Sequence, residues 1–271
     1  MPHWKLILTY DGAPYNGWQV QPNLPTVQGT LAQAIHRITG ETILPQGSGR
    51  TDTGVHALAQ VATFSLTVPI PAANLHRALN HALPASIRVL SVEAVPQHFH
   101  ARHSALRKTY EYRILPCGHD ARICSPFLAP YVWPCRFSLD LATLQQAASH
   151  ILGAHDFTSF AASDPDQSTR KEQAADAEKE QAADTDSLST PCFTRTIFHS
   201  AWHQQEDLLI YRITGNGFLH HMVRNLVGTF VEAAAHRISP EAIPTILAAR
   251  SRSAAGPTAP ASGLFLVEVL Y

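Results

Sequence analysis

Runs rich in β-branched and aromatic residues alternate along this chain with amphipathic stretches of helical period, and that alternation leaves few folds open. Strand signals fall at about 4–10, 59–66, 87–95, 106–115, 194–203, 207–214 and 264–270. Helix signals fall at about 27–39, 71–82, 139–151, 218–236 and 240–249. The first of these has Thr26 to cap it, Val27, Leu31, Ile35 and Ile38 along one face, and Gly40 to end it. The stretch from Phe218 is apolar almost all round, through Leu219, Met222, Val223, Leu226, Val227, Phe230 and Val231. A helix of that kind is buried, so its polar residues need partners. This order of elements predicts an α+β sheet protein. At 271 residues and 45% hydrophobic content, the chain can bury a sizeable core in one domain or in two halves sharing a cleft.

One segment breaks the pattern. Residues 163–190 repeat EQAAD and contain one leucine, no aromatic residue, eight acidic and three basic residues. Such a stretch cannot bury enough apolar surface to order itself, and is expected to be a disordered insertion or a solvated helix. It also disguises the charge of the rest. The whole chain has a net charge of −1, but the body without 163–190 carries 17 Lys and Arg against 13 Asp and Glu, a net of +4. A mildly basic body suits RNA phosphates. The opening MPHWKLILTY is too polar for a signal peptide, and no run approaches the roughly 18 apolar residues of a membrane span, so a soluble cytoplasmic protein is expected.

Little here suggests a metal. Cys117, Cys124, Cys135 and Cys192 form no CxxC pair and read as reduced thiols in or near the core. A zinc site from Cys117, His119, Cys124 and Cys135 lacks knuckle spacing. His220 and His221, read as part of a helix, would point about 100° apart and make poor joint ligands, which leaves them to RNA phosphate or solvent. No recognisable Gly-rich phosphate loop occurs, so neither a nucleotide cofactor nor a metal is expected.

The segment GSGRTDTGVHA at 47–57 sets Gly47, Gly49 and Gly54 around Arg50, Thr51 and Asp52. Such a loop can present two charged side chains on a fixed platform, although an isolated Asp-Thr-Gly is more often an ordinary Asx turn. In LRKTYEYRIL, alternation puts Tyr110 and Tyr112 on one strand face and Arg107, Thr109 and Arg113 on the other. Two aromatics on a sheet face are most often core packing. Arg224, near the start of an apolar helix, either snorkels to the surface or meets a buried anion. Leu264 reads by itself as plain strand core.

Taken together, GSGRTDTGVHA, FHARHSALRKTYEYRI at 99–114, DFTSF at 156–160, GNGFLHHMVRNLVG at 215–228 and SGLFLVEV at 262–269 resemble, in order, the motifs of the TruA-type tRNA pseudouridine synthases. The resemblance spans nearly the whole chain except the acidic insertion, which is longer here than in those relatives. Thr53 stands where the family often has alanine, and a hydroxyl hydrogen bond beside Asp52 is expected from it.

That resemblance implies an α+β fold of two similar halves, 1–104 with the loop at 47–57 and 105–271 with the insertion. Their sheets would join into one extended, mixed, mainly antiparallel sheet, with helices on the outer face and a central RNA-binding cleft. It implies a homodimer acting on tRNA uridines 38 to 40 in the anticodon stem-loop. The reaction breaks the bond between uracil N1 and the ribose, turns the base and rejoins it through C5, without a cofactor. Asp52 is implied as the catalytic carboxylate, either a nucleophile at C1′ or a base at C2′. A carboxylate stays charged in a closed pocket only beside a cation, and the resemblance makes that cation Arg224. It also implies that Arg50 braces the space left by the flipped uridine, although an arginine there would equally clamp a phosphate. Tyr110 would stack on uracil and relay the C5 proton, Leu264 would lie beneath the base, and Tyr112 keeps its core reading. Two other readings stand beside this one. A non-catalytic RNA-binding module would not need Asp52. A DTG-type aspartic protease needs a second carboxylate, and no second DTG occurs.

Overall fold

The computed structural model describes residues 1–118, 123–162 and 193–271. The acidic segment 163–190, Cys192 and His119 lie outside the described residues. The fold is α+β, built on one 10-stranded sheet. Its strands are β1 (His3–Tyr10), β2 (Gln46–Gly47), β3 (His56–Ser65), β4 (Ile87–Val95), β5 (Arg107–Pro116), β6 (Trp133–Cys135), β7 (Gly153–Asp156), β8 (Thr194–Gln205), β9 (Leu208–Gly215) and β10 (Leu264–Leu270). The main order is β4-β1-β3-β10-β5-β9-β8-β7, with β2 on β3 and β6 on β5. Only the β10–β3 and β5–β6 pairs are parallel.

Period-two alternation explains which face is covered. Trp4, Leu6, Leu8 and Tyr10 on β1 are buried while Lys5, Ile7 and Thr9 are partly exposed. The same face continues through Tyr110 and Tyr112, which lie opposite Leu266 and Leu264 on one side and Ile213 and Tyr211 on the other. Helices α1 (Val27–Thr39), α2 (Ala72–Ala82), α3 (Leu141–Ser149), α4 (Met222–Ala234) and α5 (Ile243–Ala249) are the α-helices among the described residues. α4 seats Phe230 edge-on against Tyr211, 5.5 Å between centroids. On the opposite face Glu111 bonds Arg113 at 2.9 Å and Arg212 at 3.0 Å.

α1 forms where its pattern predicts, with the Thr26 hydroxyl accepting from Gly29 N–H and Gly40 in the left-handed region at φ 74°. Four expectations need correction. The strand read at 59–66 begins earlier, at His56. β2, β6 and β7 are too short to leave a periodic signal and were not predicted. The helix read at 240–249 is a 3₁₀ turn, Pro240–Ala242, followed by α5, because two early prolines remove N–H donors. The helix read from Phe218 starts only at Met222, so His220 and His221 precede it.

Candidate active site

The loop between β2 and β3 is held by its backbone, which is why it can aim a side chain. Ser48 N–H donates to the Val61 carbonyl at 2.8 Å, and the Gln60 amide bonds both the Ser48 hydroxyl (2.7 Å) and the Gly49 carbonyl (3.0 Å). Trp18 N–H donates to the Thr51 carbonyl at 3.0 Å, and the Thr51 hydroxyl shares a 2.8 Å hydrogen bond with Tyr10. Burial pushes the Tyr10 phenol up to about 12, so it stays neutral in that role. Gly17, at φ +82°, lies so close that a Cβ would come 2.6 Å from the Thr51 carbonyl oxygen. Gly54, at φ +78°, turns the chain back after Asp52, where Val55 N–H meets the Asp52 carbonyl at 3.1 Å.

The Asp52 carboxylate that this loop presents is only 17% exposed. Arg224, in the first turn of α4, donates Nη1 to Asp52 Oδ2 at 2.9 Å and Nε to the Ala259 carbonyl at 2.8 Å. The polar residues of α4 do find partners: Asn225 accepts from Thr258 and Arg252 and donates to the Phe160 carbonyl. Asp52 also lies at the N-terminal end of α4, where unpaired N–H groups favour an anion.

Two histidines complete the setting, in a way the helical reading missed. His221 takes a left-handed backbone at φ 59° just ahead of α4. Its Nε2 comes 3.4 Å from Asp52 Oδ2, and His220 Nε2 comes 3.7 Å from Oδ1. The two rings lie 3.9 Å apart. They converge because residues 218–221 are not helical, which overturns the expected 100° divergence. The turn residues Gly215, Asn216 and Gly217 were the available sign of a late helix start. Among the described residues, Asp52, His220 and His221 are the group whose atoms stand close enough to share an ion, within 4.8 Å, but Arg224 already supplies a cation to that carboxylate.

Tyr110 is buried, packs edge-to-face on Phe218 at 5.0 Å, and burial pushes its phenol well above the usual range with the Asp52 charge adding to the shift. Leu264 is buried on the same sheet face, opposite Tyr112. Tyr112 is fully buried and donates to the Pro260 carbonyl at 2.7 Å, a core role. Arg50 is exposed at the rim of the loop. Thr53 is exposed too, and its hydroxyl bonds no described residue, so the expected hydrogen bond is absent. Lys108 was passed over. It shares a strand face with Tyr110 and donates its ammonium to the Ser48 carbonyl under the loop. A lysine in phase with two tyrosines was the signal. Cys117, Cys124 and Cys135 are free thiols, Cys135 buried and the others half-buried.

The signature of the family described as tRNA pseudouridine synthase matches residues 6–104 and 178–271, which is more than half of the chain. This chain belongs to that family. Proteins named tRNA pseudouridine synthase A are similar to it over nearly their whole length. The protein from Solibacter usitatus is 46% identical over 98% of each chain, that from Moorella thermoacetica 43% over all of each, and that from Rhodospirillum centenum 40% over all of each. Against that family background the side chains around Asp52 are Arg224, His220 and His221. No second carboxylate shares its site among the described residues, which removes the basis for an aspartic protease.

Proposed function

We propose that this chain isomerises uridine to pseudouridine in tRNA, at positions 38 to 40 of the anticodon stem-loop, with Asp52 as its catalytic carboxylate. The observation that carries this reading is the largely buried Asp52–Arg224 pair, presented by a rigid loop beside a tyrosine on the covered sheet face. An ionised carboxylate beside the ribose, as nucleophile at C1′ or base at C2′, is what the chemistry requires. Membership of the synthase family and close likeness over full length support an enzyme over a passive RNA-binding module.

The other roles rest on the resemblance to the family, and the positions of these side chains agree with them. Tyr110 stacks on the uracil and Leu264 supports it from beneath. Arg50, at the exposed rim, braces the place that the uridine leaves when it flips out at a cost of a few kcal/mol. Burial favours the protonated phenol at neutral pH, so a relay of the C5 proton through Tyr110 requires the phenol to pass its own proton on as it accepts the new one. We further infer two similar halves, 1–104 and 105–271. The strands β1 to β4 stand in the spatial order β4-β1-β3-β2, and β5, β8, β9 and β10 in the equivalent order β10-β5-β9-β8. Each is the order of a split β-α-β-β-α-β unit. The likeness also supports a cytoplasmic homodimer, which sedimentation of the purified chain would test.

Asp52→Asn is expected to abolish pseudouridine formation while leaving tRNA affinity within about tenfold, since an uncharged isostere removes at most about 1.4 kcal/mol of binding if the carboxylate acts in the chemistry. Carbodiimide labelling and primer extension on transcribed tRNA read the product and its position. Turnover by purified Asp52→Asn protein, or product at other positions, would sink the respective part of the assignment.

A further inference from the structure

We propose that His221 is a positioning residue for Asp52: with Arg224 it fixes the Oδ2 side of the carboxylate, so that Oδ1 is the oxygen presented to the ribose. The inference rests on the functional reading above and deepens it. Two groups converge on one oxygen: Arg224 Nη1 donates to Oδ2 at 2.9 Å, and His221 Nε2 stands 3.4 Å from it. Oδ1 accepts no hydrogen bond among the described residues, and His220 Nε2 stands 3.7 Å from it. A carboxylate bonded by Arg224 on one oxygen and flanked there by His221 is restrained in rotation, and its other oxygen keeps the lone pairs that attack or deprotonate. At 3.4 Å the His221 contact is longer than a charge-assisted hydrogen bond, and contacts of this kind can tighten into one in the substrate complex.

The backbone supplies an independent reason. His221 occupies the N-cap of α4 in the left-handed region, at φ 59° and ψ 3°, and its side chain caps no N–H. That conformation is uncommon for a residue with a Cβ, although histidine tolerates it better than most, as His236 at φ 57° also shows. It matters here because it aims the ring: the turn it makes ahead of α4 brings Nε2 to Asp52 Oδ2. The ring is further confined by His220, 3.9 Å away. The titratable and charged groups facing it are Asp52, His220, Arg224 and Arg252, and burial lowers the pKa of the imidazole, which favours a neutral ring able to donate one N–H.

The test compares His221→Leu, which lacks a donor, with His221→Gln, which keeps one, in the full chain. Losing a hydrogen bond to a charged group predicts a fall of roughly 10- to 150-fold in single-turnover rate for Leu at saturating tRNA, with the tRNA Kd nearly unchanged. Gln should recover most of that rate. Equal losses in both variants, a Leu rate within about threefold of wild type, or a loss confined to Kd would overturn the proposal. The contact can also be read without turnover, by nitrogen NMR of the imidazole in wild type and Asp52→Asn. The Asp52 charge raises the His221 pKa, so its removal should move that titration to lower pH. An unmoved titration overturns the contact even if His221→Leu does not fold. A shifted titration in a wild-type protein that makes no pseudouridine would instead refute the functional reading.

Discussion

Arg224 and Asp52 are 16% and 17% exposed, so their pairing at 2.9 Å is screened far less than a surface ion pair. Arg224→Met leaves a carboxylate in a largely buried place without the cation bonded to it, a truncation that can cost about 3–5 kcal/mol. Both the denaturation midpoint and the single-turnover rate should fall. Arg224→Lys should keep part of each, since a point charge survives while the fork that also grips the Ala259 carbonyl does not. A Met variant with wild-type stability and rate would show that Asp52 needs nothing from this residue. At this scale the apolar helix showed that Arg224 had to snorkel or meet an anion, and it was the resemblance to the family that pointed to Asp52. The sequence was unreadable at His221, because a left-handed backbone on a non-glycine residue leaves no periodic trace. The helix period was carried four residues too far for that reason.

At the scale of elements, β5 supports the site from two positions, with Tyr110 packed on Phe218 and Lys108 beneath the loop. Burial, with Arg102 and Arg195 adding to it, pushes the Lys108 ammonium down to about 8 from 10.5. Between those two values the unfolded chain holds a proton that the folded chain has released, so the stability contributed at this site rises with pH across that window. Below about 8 both states are charged and the fold bears the whole burial penalty. The stability difference between wild type and Lys108→Met should therefore shift in favour of wild type by up to about 1.4 kcal/mol per pH unit from roughly pH 8 to 10.5. Paired urea titrations across that range would measure it, and a flat difference would mean the ammonium is effectively solvated. Strand and helix periods predicted β1, β4 and α1 almost to the residue, because each has one buried and one wet face. Pairing order was beyond them. β10 enters between β3 and β5, parallel to the first and antiparallel to the second, and its run of apolar residues suits any interior slot.

For the whole molecule, the question is how a chain with a net charge of −1 holds a polyanion. The described residues on either side of the acidic segment are held together by hydrogen bonds. β7 and β8 pair from Gly153↔Ile197 to Asp156↔Thr194, and Phe157 N–H donates to the Phe193 carbonyl at 3.1 Å. Ala162 N–H is tied in turn to the His220 carbonyl at 3.0 Å. The two described ends flanking the segment are thus joined by hydrogen bonds, so the residues between can be removed without breaking a described element. Replacing 164–190 by a short Gly-Ser bridge is expected to leave the melting temperature nearly unchanged, since loop closure depends only weakly on loop length. Eight carboxylates leave with three basic residues, and the remaining body is net positive. Repulsion of tRNA within about a Debye length should fall, so affinity should hold or strengthen, most visibly at low salt. Filter binding over a salt series would show a tighter Kd for the deletion at low ionic strength, converging on wild type as salt rises. A collapse in thermal stability would make the segment part of the fold, and a loss of affinity at every salt concentration would make it part of the tRNA contact.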